Sequence, residues 1–232
     1  MLQHIRLLIL DLDYLVFECS HLKAHALKQC MAVLDETYPL NAPLPDNVNV
    51  EEGFRDYGFR WIRHLETGLD EKGLERLEQT YGIHETQMVN SGAGRVYSGV
   101  REFAVQCRQS NLAVALGADA RRDYMLAVID RYELDSFFQF ALCTEEFGTG
   151  DAAEMLEEIM RQAEVNPSET LALGTRPHFF QSAKSVDIRT VGCGWGIGNH
   201  ESLADADMQS LDLKQLFPAI QKADALAFQR ST

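Results

Sequence analysis

The sequence predicts an α/β fold in which a parallel sheet is covered by helices on both faces. The first observation is a short apolar run, Leu7 to Leu10, followed closely by Asp11 and Asp13. The second is an alternation of strand-like and helix-like segments between residues 100 and 191. Such alternation requires right-handed crossovers between parallel strands, and ligands then bind at the carboxyl ends of those strands. We therefore expect the two aspartates at a ligand-binding edge.

The predicted elements follow one another in a regular order after the first strand. Residues from about 20 to 36 carry apolar side chains at helical spacing, and Pro39, Pro43 and Pro45 end that helix. Further helices are expected around 51–65 and 70–80, before a flexible return at 90–95. The remaining predicted elements are helix 100–109, strand 112–116, helix 121–132, strand 138–142, helix 152–163, strand 170–173, helix 179–185 and strand 188–191.

Length, charge and cysteine content narrow the class of protein. The chain has 232 residues, of which 46% are hydrophobic, enough for one large domain or a core with a smaller insert. Its net charge of −14 disfavours nucleic acid and anionic membranes as partners. The five cysteines form no Cys-x-x-Cys pair, which is typical of reduced thiols in a cytoplasmic protein. The N-terminal apolar run is too short and too acidic to predict a signal peptide or a membrane span.

Asp11 and Asp13 are the first candidate site residues. Side chains alternate along a strand, so these two carboxylates are expected to point to the same side. Like charges held this close raise each other's pKa unless a cation or hydrogen-bond donors compensate. A pair of this kind is typical of a site built around a metal ion and a phosphoryl group.

Several motifs resemble, in order and spacing, those of the haloacid dehalogenase superfamily, and of its phosphoglycolate-phosphatase type in particular. They are the opening motif 8–13 and the segments 96–103, 134–138, 165–174 and 190–196. The resemblance implies a Rossmann-like core at 1–16 and 92–232, with a helical cap inserted at 17–91. In active members the first aspartate attacks phosphorus and the second is the general acid and base. Those roles would fall to Asp11 and Asp13.

The second and third motifs depart from the pattern of active members. Gly117 or Ala118 stands where a Ser or Thr is expected to hold the phosphoryl group, and neither side chain can donate a hydrogen bond. The third-motif Lys would fall near Gly150, but no Lys occurs between Lys72 and Lys184. Compared with active members, the sequence therefore lacks two groups that would bind the transferring phosphoryl group.

The first and fourth motifs are altered as well. Thr175 and Phe179 replace the two acidic residues that complete a magnesium site in active members, and Tyr14 replaces a usual Gly. Arg176 and His178 lie in the same fourth-motif segment. We hypothesise that Arg176 neutralises the aspartate pair where a metal ion would stand.

Alternatives to that hypothesis remain open. Arg176 could be a solvated loop residue and His178 a residue at a helix start. Arg121 and Arg122 are weaker candidates for a compensating charge. A displaced metal site is a further alternative, with Asp119, Glu145, Glu146 and Asp151 as its ligands.

We predict a catalytically impaired, phosphatase-like protein that binds a small ligand or a protein partner, neither identified by the sequence, in the cleft between cap and core. Its binding residues would be Tyr14, Gly117, Ala118, Thr175, Arg176 and His178, and no cofactor is expected. The alternative is a weak or atypical phosphatase that uses Mg²⁺, with Asp11 as nucleophile and Asp13 as acid and base. A third possibility is a structural or regulatory subunit with a vestigial cleft.

Overall fold

The computed structural model describes residues 4–35, 52–54, 58–65, 67–147, 152–196 and 203–231. Six parallel strands form the central sheet: β1 (Leu7–Asp11), β4 (Ala113–Ala118), β5 (Phe140–Cys143), β6 (Thr170–Gly174), β7 (Arg189–Cys193) and β8 (Met208–Ser210). They lie in the order β5-β4-β1-β6-β7-β8. Two further short strands, β2 (Phe17–Glu18) and β3 (Arg95–Val96), pair antiparallel to each other. The predicted α/β class with a parallel core sheet is confirmed.

Helices connect these strands and cover both faces of the sheet. They are α1 (Ser20–Asp35), α2 (Glu71–Asn90), α3 (Val100–Gln109), α4 (Arg122–Arg131), α5 (Ala152–Ala163), α6 (Pro177–Ser185) and α7 (Leu213–Ser231). In the part of the chain that the structure describes, no helix is both long and apolar enough to cross a membrane.

The central strand β1 divides the hydrophobic core into two layers. Its five residues are all buried, as expected for a parallel strand with neighbours and helices on every side. Leu8 and Leu10 pack into the cluster that includes α3 and α4, whereas Leu7 and Ile9 pack into the cluster that includes α5 and α6. This alternation fixes the register of β1, because a shift by one residue would exchange the two layers.

A helical segment lies between β2 and β3. We term it the cap segment; its described part consists of α1, α2, residues 52–54 and a 3₁₀ helix, Gly58–His64. Helices α1 and α2 share an apolar cluster in which the Phe54 ring stacks on Tyr81 with centroids 5.3 Å apart. The division into a core and a separate cap domain, with boundaries at 16 and 92, stays a prediction.

Most predicted core elements are confirmed to within two residues, and the differences have physical reasons. Helix α2 continues to Asn90 rather than ending near Thr80, because Tyr81, Glu85 and Val89 extend its buried stripe at four-residue spacing. Where one helix is expected over 51–65, residues 52–54 are α-helical and Gly58–His64 form a 3₁₀ helix, and part of that range lies outside the described residues. Pro39, Pro43 and Pro45 also lie outside them. Strand β8 and helix α7 have no counterpart among the predicted elements.

Candidate functional site

The carboxyl ends of four neighbouring strands meet at one edge of the sheet. Strands β1, β4, β5 and β6 there lead into Asp11, Asp119, Thr144 and Arg176, all of which are buried. Parallel strands bring their carboxyl ends to the same edge, so residues far apart in sequence become neighbours. The candidate site is therefore a buried polar cluster at the edge where the sequence places the aspartate pair.

Arg176 is bound to Asp11 through both carboxylate oxygens. Its Nε donates to Asp11 Oδ2 at 2.8 Å and its Nη2 donates to Oδ1 at 2.6 Å. A planar guanidinium matches a carboxylate in this two-point geometry, which is among the strongest side-chain contacts in proteins. The side chains of Arg176 and Asp11 are 1% and 0% exposed. The contact between Arg176 and the aspartate pair that we hypothesised from the sequence is thus present, at Asp11.

Burial and ion pairing act in opposite directions on the pKa of Asp11. Desolvation raises this pKa, while the charge and hydrogen bonds of Arg176 lower it in part, which leaves it at about 6. Burial also acts to lower the pKa of Arg176, but the carboxylates of Asp11 and Asp119 outweigh it and raise that pKa above its ordinary value. The pair is therefore ionised on both sides at neutral pH.

Asp13 is neutralised by a residue that our sequence analysis did not single out, Lys23 of α1. The Lys23 Nζ lies 2.9 Å from Asp13 Oδ2 and 2.8 Å from Glu85 Oε1, with Glu85 on α2. It also lies 4.8 Å from the centroid of the Tyr124 ring and 5.0 Å from that of Phe54. The Lys23 side chain is 3% exposed. One buried ammonium thus faces two carboxylates and two aromatic rings.

Two tyrosines complete the hydrogen bonding around Lys23. The Tyr124 hydroxyl donates to Asp13 Oδ1 at 2.8 Å, and the Tyr81 hydroxyl donates to Glu85 Oε1 at 2.9 Å. Burial acts to lower the pKa of Lys23, but Asp13 and Glu85 outweigh it and raise that pKa well above its usual value. Burial raises the pKa of Glu85, and Lys23 offsets this rise only in part. Lys23 therefore remains an ammonium in its buried position.

A third aspartate, Asp119, occupies the far side of the cluster. His178 Nε2 contacts Asp119 Oδ2 at 2.8 Å, and the Thr144 hydroxyl donates to Oδ1 at 3.0 Å. Arg176 Nη1 lies 3.6 Å from Asp119 Oδ2. Burial acts to raise the pKa of Asp119, but the hydrogen bonds and charges of these neighbours outweigh it and lower the pKa to about 2. Asp119 is therefore held as a carboxylate.

Tyr14 fills space next to the aspartates at a cost in backbone energy. It has a φ of 64°, in the left-handed region that favours glycine, and its side chain is 0% exposed. Gly196 packs so close to the Tyr14 carbonyl that a Cβ at Gly196 would lie 1.9 Å from that oxygen. The Tyr14 side chain is thus buried within the larger hydrophobic cluster, and its backbone is in close contact with the segment that follows β7.

The other predicted binding residues contribute little polar surface to the cluster. Gly117 pairs with Asp11 in register, and a Cβ at Gly117 would meet Ile9 Cγ2 and Met155 Cε at 3.0 Å. Ala118 is part of the larger hydrophobic cluster. The Thr175 hydroxyl is buried and finds no hydrogen-bond partner among the described residues. Whether any of these residues binds a ligand stays a prediction.

The remaining alternatives from the sequence are only partly visible. Glu145 and Glu146 form ion pairs with Arg121 and Arg122, respectively. These carboxylates are therefore held by cations at the start of α4. Gly150, the expected place of the third-motif Lys, and Asp151 lie outside the described residues.

The observed arrangement does not fit a magnesium ion between the two aspartates. Both oxygens of Asp11 accept from Arg176, and Oδ2 of Asp13 faces the Lys23 ammonium. Mg²⁺ needs close to ideal octahedral oxygen ligation, and two fixed cations at the same carboxylates oppose a third. Across the described residues, no group of three or more His, Cys, Asp or Glu side chains is placed to hold a metal ion.

Comparisons with known proteins agree with this architecture. A family model described as haloacid dehalogenase-like hydrolase matches residues 8–193. A phosphoglycolate phosphatase of Pseudomonas putida is 28% identical over 128 residues, which span 53% of this chain and 46% of that protein. The chain thus covers less than half the length of this curated relative.

Solved structures extend the likeness over nearly the whole chain. A haloacid dehalogenase-like family hydrolase of Streptococcus pneumoniae superposes with a TM-score of 0.79 at 12% identity, covering 93% of this chain and 98% of that one. CbbY of Rhodobacter sphaeroides, solved in complex with phosphate, gives 0.73 at 15% identity, covering 89% and 93%. Identities this low show the fold alone. On the match of the family model, the chain belongs to the haloacid dehalogenase-like hydrolase family.

Proposed function

We propose that this protein is a catalytically impaired member of its family, which binds a small ligand or a protein partner in the cleft between cap and core. It would transfer no phosphoryl group at a useful rate. The observation that carries the proposal is the two-point ion pair between Arg176 and Asp11.

An aspartate nucleophile needs a free oxygen that can approach phosphorus. In this protein both Asp11 oxygens accept hydrogen bonds from Arg176, and both residues are shielded from water. Freeing Asp11 would leave a buried charge without its partner, which is costly in a medium of low dielectric. The electrostatic stabilisers of active relatives are also replaced, at Gly117 or Ala118 and at Thr175. Loss of a single such stabiliser commonly costs about 10²–10³ in rate.

A cavity beside the β2–β3 pair offers room for a ligand outside the buried polar cluster. Its volume is about 660 Å³, within the range of about 300–1,000 Å³ that small-molecule sites occupy. Its lining includes Glu18, His21, Arg95, Tyr97 and Trp195, which combine two aromatic walls with charged and polar groups. The Trp195 indole is anchored because its Nε1 donates to the Leu15 carbonyl at 3.1 Å. These features support binding at the boundary between the cap segment and the core.

A phosphatase screen with Mg²⁺ tests the catalytic half of the proposal. The screen compares the wild-type protein with Asp11→Asn on phosphate esters that include phosphoglycolate and sugar phosphates. We expect no turnover above the level of Asp11→Asn for any substrate. Magnesium-dependent turnover in the wild type that disappears in Asp11→Asn would show a working hydrolase and refute the proposal.

A thermal-shift screen tests the binding half. Ligands that bind the native state raise the melting temperature, so sugar phosphates, inorganic phosphate and aromatic acids are screened against the wild type and Trp195→Ala. We expect a ligand whose shift is lost in Trp195→Ala and retained in Leu126→Ala, an exposed control on α4. A shift retained equally in both variants would place binding elsewhere.

A further inference from the structure

We propose that Lys23 fastens the cap segment to the core in one closed arrangement, so that the ion cluster around Asp13 works as an internal latch. This inference goes beyond the proposed function. It concerns the movement of the cap segment and does not depend on whether the protein hydrolyses a phosphate ester or binds a ligand.

Three parts of the chain converge on the Lys23 ammonium. Lys23 belongs to α1 and Glu85 to α2, both in the cap segment, whereas Asp13 follows the central strand β1. The ammonium contacts one carboxylate from each side of the boundary, at 2.8 Å to Glu85 and 2.9 Å to Asp13. Moving the cap segment away from the core would therefore separate Lys23 from Asp13.

Helix α4 of the core adds contacts to the same boundary. Tyr124 on α4 donates to Asp13 and presents its ring to Lys23. Arg121, at the start of α4, packs against Gly82 of α2 so closely that a Cβ at Gly82 would lie 2.5 Å from the Arg121 Nε. The latch is thus one end of a continuous contact between α2 and α4.

The burial of the cluster makes opening expensive. Lys23 and Glu85 are each about as shielded as core leucines, at 2% and 1% exposure. Separating a buried ion pair leaves uncompensated charge on both sides, and removing one partner of such a pair is strongly destabilising. The ion pair of Arg63 with Glu71 and Glu78 is a contrast, because the Arg63 side chain is 39% exposed and all three residues lie within the cap segment. Exposed pairs of this kind contribute little.

Hydrogen exchange monitored by mass spectrometry tests the latch on the 232-residue chain. The experiment compares wild type with Lys23→Met, and with Arg63→Met as a matched control within the cap segment. We expect the amide exchange rate of peptides covering 7–16 and α1 to rise about 100-fold in Lys23→Met. This fold-change is the effect of removing one partner of a buried ion pair, converted at a factor of ten in rate for each 1.4 kcal/mol. Exchange in α5, on the other face of the sheet, stays unchanged, and Arg63→Met behaves as wild type.

Two results would overturn the proposal. One is wild-type exchange at 7–16 and α1 in folded Lys23→Met. The other is an equal rise in every peptide, α5 included, which would make Lys23 a contributor to global stability only. Glu85→Gln decides the question if Lys23→Met does not fold, since it removes one charge and keeps the side-chain shape. Glu85→Gln should raise the exchange rate of the peptides covering 7–16 and α1 selectively, by about 10-fold. Wild-type exchange at those peptides, or an equal rise in every peptide, would overturn the proposal for this variant too.

Discussion

The two aspartates of the opening motif are two residues apart in sequence, yet different parts of the molecule neutralise them. Asp11 is bound by Arg176, which lies outside the cap segment and immediately precedes α6. Asp13 faces Lys23, which belongs to the cap segment. The first contact joins two residues outside the cap segment, whereas the second joins the cap segment to a residue that follows β1. Under the latch proposed for Lys23, the charge of Asp13 is therefore coupled to the position of the cap segment, and that of Asp11 is not.

The largest expected effect comes from removing the cation on the Asp11 side. Arg176→Met leaves the Asp11 carboxylate buried and unpaired, so we expect the free energy of unfolding to fall by about 3–5 kcal/mol. The double variant Asp11→Leu with Arg176→Met replaces the pair by apolar groups and should recover most of that loss. Urea denaturation measures both values. A double variant no more stable than Arg176→Met would contradict a paired role for Arg176.

Substitutions at Tyr14 should separate the packing of its ring from the strain of its backbone. Tyr14→Ala deletes a fully buried ring and should cost about 3–5 kcal/mol, as for other large aromatic truncations. Tyr14→Gly deletes the same ring but relieves the positive φ, so it should be about 1 kcal/mol less destabilising than Tyr14→Ala. Thermal and chemical unfolding compare the two directly. The reverse ranking would mean that the positive φ carries no strain.

The change in the free energy of unfolding at acidic pH should distinguish Asp119 from Asp11. The pKa of Asp119 is lowered from 3.8 to about 2, so its contribution is present above pH 4 and is lost as the pH falls through 2. Its size is about 2 kcal/mol. Unfolding measured between pH 2 and pH 5 should show a shallower acid loss for Asp119→Asn than for wild type. An unchanged slope would contradict the assignment.

The contribution of Asp11 to stability should change with pH in the opposite direction to that of Asp119. Its pKa is raised from 3.8 to about 6, so its contribution is full below pH 3.8 and declines as the pH rises through 6. Asp11→Asn should remove this decline. The free energy of unfolding of the variant, taken relative to that of wild type, should therefore rise as the pH increases from 4 to 6. A fall of this difference over the same interval would contradict the predicted sign.

The smallest effect is expected where an ion pair lies at the surface of the cap segment. Arg63→Met breaks contacts to Glu71 and Glu78, and exposed pairs typically contribute less than about 1 kcal/mol. Chemical denaturation should place this variant within about 1 kcal/mol of wild type. A loss comparable to that of Arg176→Met would contradict the expected difference in stability between buried and exposed ion pairs.

The sequence is informative about the core because periodicity is a local property. The apolar run that forms β1 and the apolar spacing that forms α5 predict elements whose bounds agree with the structure closely. The position of Arg176 near Asp11 could also be predicted, because Arg176 follows β6 and the carboxyl ends of β6 and β1 lie at the same edge of the sheet. Helix α2 is harder to bound from the pattern, since Gly82 interrupts it and its buried stripe includes the charged Glu85.

Sequence reasoning missed Lys23, and with it Glu85, Tyr124 and Thr144. Lysine on a helix is ordinarily a solvated residue, and nothing local shows that its partners are Asp13 and Glu85. One signal was available, because Lys23, Leu27, Cys30 and Leu34 share the buried face of α1 at helical spacing. A charged residue within such a stripe indicates a buried partner, but the identity of that partner depends on the tertiary fold.

Magnesium binding followed by thermal shift tests most directly the claim that internal cations neutralise the aspartate pair. The melting temperature of the wild type is measured over a magnesium titration, with Asp11→Asn as the control. We predict no magnesium-dependent shift that differs between the two proteins. A rise of about 5–10 °C in the wild type, as expected for a specific ion well above its Kd, that is absent in Asp11→Asn would contradict the claim.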